Sequence, residues 1–541
     1  MKSQTKKTKK GKQNEQQRHR KLEKKRLKRQ NKKYKPERYL SRNQKEVAQR
    51  LIDGEVTMIS SASWGFVERF LVFLNRLGFF ELIRVDGVRF YRQMIDIGLL
   101  IMTYEIKVLL GIASMNQVGE RLFKDVALMR LIGYTSDQLL SGFCHRGRAE
   151  SDKPIHKNTL GDAVEKLTPE ELDLIFNEAL KRLAEHGFFE RSGGVFALDS
   201  TDLPSTERYE GAGRRTKIIK KKTRDKQVVE IEETVHGFKL CALYEMQSRL
   251  VVAVKITPIQ QHDSTFTLDL VQQARDNLGN DSIDILIADR GFLDGEDLWT
   301  LKHVWGIDFI VPAKTNMRVT AEARSFAQTP ADGDSVFVAH RAGDEQQRGE
   351  VQLRGIRSLR AYDQYGDAQH QKQIDTRRFK PNPINALLIQ SWNGRIPKEE
   401  TVFLTSLPIV DPLWVLDTYG LRTLIENCLF RELKQGWNLL AFPKKTQDAV
   451  RGHVYLTLLV FNLSNAYRTH TGQDLTAQGI RRQRRDWHQA NQVFVFAGEY
   501  YAIFDLEELL IFLDREPEIC WRIDPDRVRR EYGLLDQEWV A

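Results

Sequence analysis

Cysteine is scarce and scattered. The 541 residues hold four, Cys144, Cys241, Cys428 and Cys520, and no two form a CxxC pair. That spacing argues against a zinc ribbon and against a disulfide scaffold, and it suits a reducing compartment. Long apolar runs are also missing. No stretch approaches the roughly 18 consecutive apolar residues of a membrane span, and no apolar core follows the basic N-terminus as a secretory signal requires. Self-similarity at a period of about 20–50 residues is absent too. What is present suffices for a sizeable core: 41% of residues are hydrophobic and 9% aromatic, which excludes global disorder. The length suggests roughly three or four domains.

Charge is unevenly placed. The formal net charge is +10, but residues 1–50 alone hold 21 Lys/Arg against 4 Glu, which leaves 62 basic and 69 acidic residues for the rest. The basicity belongs to a tail, expected to be disordered when free. Such a tail binds a polyanion by neutralising phosphates and releasing counterions. A solvated solubility tail and a nuclear-import signal are other readings of the same residues.

Residues 51–190 read as helical, with apolar residues at helical spacing in FVERFLVFLNRLGFFELI and RQMIDIGLLIMTYEIKVLLGI and a helix start at Thr168-Pro169. This region is either a small DNA-binding domain or a purely structural helical layer. The pattern then changes. VFAL (195–198) reads as a buried strand ending at Asp199, followed by strands over 235–246 and 249–257. A helix from Asp263 to about Gly279 leads to the strand IDILIA (283–288) with Asp289 at its end, and a short helix leads to the strand 307–313. Polar sequence with short alternating runs over 315–410 suggests a β-rich insertion. A long helix is expected from about Asp411 to Trp437, with two more helical stretches to about residue 470. The last 70 residues open on RRQRR (481–485) and resist assignment.

Three carboxylates stand out by position. Asp199 and Asp289 each close an apolar strand, a rigid place from which to present a side chain. Val195, Ala197 and Asp199 share one strand face, as do Ile283, Ile285, Ile287 and Asp289, so the two acids meet if the strands are neighbours. Glu426 lies on the long helix. At about 100° per residue, Tyr419 falls about 20° and Arg422 about 40° from Glu426, so the three share a face. Clustered carboxylates need compensating positive charge, and a hard divalent cation supplies it. Two such ions about 3.5–4 Å apart serve phosphoryl transfer. The plainer alternatives are a turn or helix cap at each Asp, which Ser200, Thr201 and Asp202 make plausible for Asp199, and an i,i+4 Arg–Glu pair on a helix surface.

The same residues resemble a family: the IS4-type insertion-sequence transposases of the DDE superfamily. LDSTDL carries Asp199, ADRGF (288–292) carries Asp289, and the signature Y-(2)-R-(3)-E-(6)-K is matched by Tyr419, Arg422, Glu426 and a lysine. HGFKL (236–240), QHDS (261–264), VPAK (311–314) and FLTSL (403–407) follow in the family's order, and the likeness covers about residues 190–470. One departure is visible. The signature's lysine falls at Leu433, whereas the lysine here is Lys434, about 80° from Glu426 on an ideal helix. A local bulge or the flexible lysine stem would restore the contact.

The resemblance implies an α/β fold: an RNase H-like catalytic core interrupted by a β-rich insertion and preceded by a helical N-terminal domain. The divisions are then a basic tail (1–50), a helical domain (51–190), the first part of the core (191–314), the insertion (315–410), the signature helix and its successors (411–475) and a C-terminal region (476–541). It implies that Asp199, Asp289 and Glu426 bind two Mg²⁺ ions, with Mn²⁺ as a substitute. Tyr419, Arg422 and Lys434 would contact transposon-end DNA near the cleaved phosphate. The implied activity is metal-dependent cleavage and strand transfer on double-stranded DNA, at element ends and target, by a homodimer on paired ends, in the cytoplasm at the nucleoid. The basic run 214–226, with Lys220, Lys221 and Lys222, is a candidate track for the DNA backbone or else a solvated loop, and Lys314 is a candidate phosphate contact. RRQRR is a weaker candidate of the same kind. His145 and His262 are better read as structural than as ligands, and Trp299, Trp392 and Trp437 as packing rather than base-stacking groups. Two other functions fit the sequence: a catalytically inactive DNA-binding protein derived from a transposase, and a structure-specific nuclease on the same fold.

Overall fold

The computed structural model describes residues 40–84, 95–143, 153–189, 194–222, 228–328, 336–340, 350–375, 382–392, 401–473, 475–489, 491–515 and 523–534. The basic tail up to residue 39 and His145 lie outside them. The chain forms two compact units, Leu172–Gln473, and Met1–Glu171 together with Asp474–Ala541. No described helix is long and apolar enough to cross a membrane.

The Leu172–Gln473 unit is built on one mixed sheet. Its strands are β1 (Gly194–Ser205), β2 (Gly213–Lys222), β3 (Val228–Glu245), β4 (Leu250–Pro258), β5 (Ile283–Ala288), β6 (Asp308–Pro312), β7 (Val336–His340), β8 (Glu350–Leu359), β9 (Ile384–Trp392) and β10 (Val402–Thr405). They are ordered β2-β3-β1-β5-β6-β10-β9-β8-β7, with β4 also paired to β3. β1 runs antiparallel to β3 and parallel to β5, and β5 runs parallel to β6. The central strands are covered on both faces, which is why their sequences are nearly continuous apolar runs. Phe196, Ala197, Leu198, Leu240, Cys241, Ala242, Leu286 and Ile287 are all at most 1% exposed.

Three expectations need correction, and one is refined. β1 does not stop at Asp199 but continues to Ser205, because β3 keeps pairing with it as far as Ser205 opposite His236 after the parallel partner β5 has ended at Leu198 opposite Ala288. The basic segment after it is no open loop. Residues Gly213–Lys222 form strand β2, with Lys220, Lys221 and Lys222 opposite Glu230, Val229 and Val228; the side chains of these three lysines lie outside the described residues. The short strands expected over 315–410 are present, and their pairing is what the sequence left open. β10 pairs antiparallel with β6, so β7–β10 extend the main sheet, and helices Arg318–Gln328 and Ala368–Asp375 accompany them. Finally, the long helix is broken into an α-helix Pro412–Gly420, a π-helical turn Ile425–Phe430 and a short α-helix Arg431–Gln435. Its start is as sequence chemistry requires: the Asp411 carboxylate accepts from the N–H groups of Leu413 and Trp414, with Pro412 in the first turn.

β4 would leave an exposed edge, but side-chain amides close it. Asn462, 1% exposed on the helix Gln447–Thr471, accepts from Val251 N–H and donates to Val251 C=O. Gln273 accepts from Val254 N–H and Asn277 donates to Val252 C=O. Buried backbone groups thus find partners without another strand. Gly237 lies where β3 passes from β2 to its other partners. Its φ is 155°, and a Cβ there would stand 2.3 Å from the Leu203 carbonyl oxygen.

In the other unit, the N- and C-terminal parts of the chain fold together. Strands Ser41–Arg42, Tyr500–Asp505, Gln492–Ala497 and Met58–Ser61 form a sheet in that order. Val47, Leu51, Val495, Phe504, Ile511 and Phe512 lie in its core. The unassigned C-terminal region is therefore half of a small α/β layer, and the expected all-helical stretch contributes a strand to it. Residues Asn158–Glu165 are helical here, and the helix Pro169–Glu185, most of which belongs to the Leu172–Gln473 unit, is capped by Thr168 through Glu171 N–H.

Candidate active site

Asp199 and Asp289 are the next residues on β1 and β5 after the parallel pair Leu198–Ala288. The two strands are neighbours, and both carboxylates stand at one edge of the parallel pairing. The Asp199 carboxylate is only 9% exposed. Its Oδ1 accepts from the Ser200 N–H at 2.8 Å and its Oδ2 from Arg422 Nη1 at 2.6 Å. Arg422 comes from the turn after the helix Pro412–Gly420, and the same Nη1 reaches Glu426 Oε1 at 3.3 Å. One cationic nitrogen is therefore shared by two carboxylates from distant parts of the chain. The guanidinium sits 5.9 Å from the Tyr419 ring centre, and that ring packs against Phe403 at 4.6 Å. The helix is not continuous, yet Tyr419, Arg422 and Glu426 do share one side of it.

Burial raises the Asp199 carboxyl to about 6; Arg422 and the Ser200 N–H pull it down, and the charges of Asp289 and Glu426 push it up. The three acids are thus within electrostatic reach of one another. For Arg422, burial works against its charge, but Tyr419, Asp199, Asp289 and Glu426 outweigh this and its pKa is raised. Burial also raises the Tyr419 hydroxyl, against the pull of Arg422. Arg422 Nε is buried without a partner, an unfilled donor at the centre of the cluster.

The π turn resolves the displaced lysine. A π turn holds one residue more than an α turn, so the eight steps from Glu426 to Lys434 count as seven around the axis. Lys434 Nζ accordingly donates to Thr201 Oγ1 at 2.6 Å. Thr201 lies two residues beyond Asp199 on β1 and on the same face. Leu433, at the signature's own position, is fully buried.

Other candidates are dispersed. Lys314 is exposed just beyond β6. Within the basic run, Arg215 is ion-paired to Asp202 of β1 at 2.6 Å. RRQRR lies on the helix Ala477–Gln489 of the other unit, where Arg484 stacks over Trp64 at 4.2 Å. His262 caps the turn Asp263–Phe266 by accepting from Ser264 N–H, as a structural histidine does. Trp437 is buried and Trp299 packs on His303; the side chain of Trp392 lies outside the described residues. Thr201 and Ser200 escaped notice as partners of the site. The run STD after Asp199 invited a capping reading, and only strand continuation and the π turn place them.

A family model described as Transposase DDE domain matches residues 190–463, just over half of the chain. The chain belongs to this transposase family. Asp199, Asp289, Tyr419, Arg422, Glu426 and Lys434 all fall within the matched DDE domain. Among solved structures, the transposase is similar to a chain of the piggyBac transposase synaptic complex with hairpin DNA, at 10% identity, 91% coverage of this chain and 86% of that one, and a TM-score of 0.34. No curated protein matches it.

The donor set bears on a metal. Three carboxylates are hard oxygen ligands of the kind magnesium takes. Among the described residues no three His, Cys, Asp or Glu side chains converge closely enough to ligate an ion. The cationic position between Asp199 and Glu426 is filled by Arg422 Nη1, which stands in for positive charge there. The three carboxylates are of the chemical kind that suits a divalent cation, and in this structure Arg422 Nη1 supplies the positive charge between two of them.

Proposed function

We propose that this transposase is of the IS4 insertion-sequence type, with an RNase H-like core. It binds the ends of its element in double-stranded DNA, cuts there, and joins the freed 3′-hydroxyl to target DNA. The observation that carries this reading is the Asp199–Arg422–Glu426 bridge beside Asp289. Strand and helix residues some 220 positions apart share one half-buried cationic nitrogen, inside the segment that matches the family.

In this reading Asp199, Asp289 and Glu426 would hold Mg²⁺. When bound, the ions would supply charge that activates the attacking oxygen and stabilises the leaving one in an in-line displacement. Arg422 carries the phosphate end of the site: its guanidinium, already bridging Asp199 and Glu426, is the planar fork suited to phosphate. Lys434, seated on Thr201, adds a second positive charge beside Asp199. Tyr419 positions the guanidinium through its ring. The basic tail adds sequence-independent attraction to the duplex. The protein acts as a homodimer on paired ends.

The test is cleavage of a labelled duplex carrying the element's own flanking ends, with Mg²⁺, with EDTA, and with Asp289→Ala. Metal-dependent cutting at the end, lost in Asp289→Ala while DNA binding survives, supports the reading. Binding without cleavage in either Mg²⁺ or Mn²⁺ would point to a protein that only binds DNA. Cleavage that ignores Asp289 would mean the reactive centre lies elsewhere.

A further inference from the structure

A pair of opposite charges, a buried lysine and a half-buried aspartate, lies against the turn that carries Asp289. Lys239 of β3 is 4% exposed. It pairs in register with Asp202, whereas Asp199 pairs with Ala242, so it lies on the opposite face of the sheet from the Asp199 carboxylate. Its Nζ donates to the Gln261 carbonyl at 2.8 Å and stands 2.7 Å from Asp263 Oδ1. That oxygen is buried and accepts no aligned hydrogen bond, so the ammonium charge is what compensates its burial.

The other oxygen of Asp263 backs onto Gly291. A Cβ at Gly291 would stand 2.9 Å from Asp263 Oδ2, so a side chain there would press against that carboxylate. Gly291 lies two residues after Asp289 in the turn Arg290–Phe292. Phe292 N–H closes that turn onto the Asp289 carbonyl at 3.0 Å, and the Phe292 side chain is buried. The Asp289 carboxylate makes no capping bond to its own turn. Without that bond its direction follows the backbone of the turn, and Asp263 Oδ2 lies against that backbone at Gly291. The Cys241 thiol, pushed up to about 12 chiefly by burial, feels Asp263, Lys239 and Asp199 together, which puts the pair and the reactive face within electrostatic reach of one buried side chain.

We propose that Lys239 and Asp263 are positioning residues for Asp289. The buried ammonium fixes the Asp263 carboxylate, the carboxylate supports the Gly291 turn, and the turn holds Asp289 level with Asp199. This rests on the reading of Asp289 as a metal ligand and deepens it. Partners one step behind a ligand typically change metal affinity about 10–100-fold.

The experiment measures Mn²⁺ binding to the full chain by electron paramagnetic resonance of the free ion, alongside the thermal unfolding midpoint. Asp263→Asn, Lys239→Met and Gly291→Ala are each expected to weaken Mn²⁺ binding about tenfold or more. Lys239→Arg, which keeps the charge, restores binding to within about threefold of the natural chain. If Asp263→Asn fails to fold, Gly291→Ala decides, since it keeps both charged residues. Folded Gly291→Ala and Asp263→Asn chains that bind Mn²⁺ like the natural one, while Asp289→Asn does not, would overturn the positioning role and leave the ligand reading standing. Unchanged binding in Asp289→Asn itself would overturn the ligand reading, and the positioning role with it.

Discussion

Lys434 Nζ donates to Thr201 Oγ1 at 2.6 Å, although Lys434 stands one place later than the transposase signature asks. The extra residue is taken up by the π turn Ile425–Phe430. Inserted π turns of this kind are frequent at functional sites, and here the turn begins with the residue before Glu426.

That geometry predicts an asymmetry between neighbouring positions. Lys434→Ala should leave stability within about 1 kcal/mol of the natural chain and slow end cleavage roughly 10–100-fold. Leu433→Lys, with Lys434 replaced by Leu, should not rescue the reaction. Leu433 is fully buried, and an unpaired ammonium there costs several kcal/mol. Denaturant unfolding and single-turnover cleavage of both chains check this.

Asp199 should make the transposase less stable as pH rises. Its carboxyl is raised from 3.8 to about 6, chiefly by burial. Between these two values the folded chain binds more protons than the unfolded one, so stability falls with rising pH and the penalty is complete above about pH 6. At about 1.36 kcal/mol per pKa unit, the penalty is about 3 kcal/mol. Asp199→Asn, while abolishing cleavage, is expected to raise unfolding free energy by an amount of that order at pH 7.5 in EDTA. At about pH 4 the difference should nearly vanish. An equal gain at both values would mean that ionisation of Asp199 is not its source.

Removing residues 1–39, which hold 18 Lys/Arg, should flatten the salt dependence of DNA binding. Each phosphate contact contributes about −0.9 to the slope of log K against log salt. A loss of several units of slope, with the unfolding midpoint unchanged, is the expected result. A slope that stays the same would make the tail a solubility segment.

Asn462→Leu should destabilise the Leu172–Gln473 unit by about 2–4 kcal/mol. It leaves the N–H and C=O of Val251 without partners at a covered sheet edge, and each unsatisfied buried group costs about 1–3 kcal/mol. Hydrogen exchange at the Val251 amide, faster in Asn462→Leu, is the local readout.

The sequence by itself determined which side chains are the candidates for the chemistry and which local elements present them. IDILIA reads as the strand it is, because a run of apolar residues of that length has few other buried forms. Asp199, Asp289 and Glu426 were legible because strand ends, helical spacing and the family's motifs are local patterns. Pairing was not. Nothing local in VFALDSTDLPS says that β1 outlasts its parallel neighbour, since that depends on how far β3 accompanies it. Nothing local in the 315–410 region says that its strands extend the main sheet, because the edge of β6 that receives β10 is a tertiary feature. The C-terminal 70 residues could not be read because their hairpin is completed by strands some 440 positions away. The helix from Asp411 obeyed its cap and its periodicity until the single extra residue before Lys434. An ideal wheel has no place for that residue, and only the tertiary structure shows the helix opening into a π turn where Arg422 bonds to Asp199 and Lys434 to Thr201.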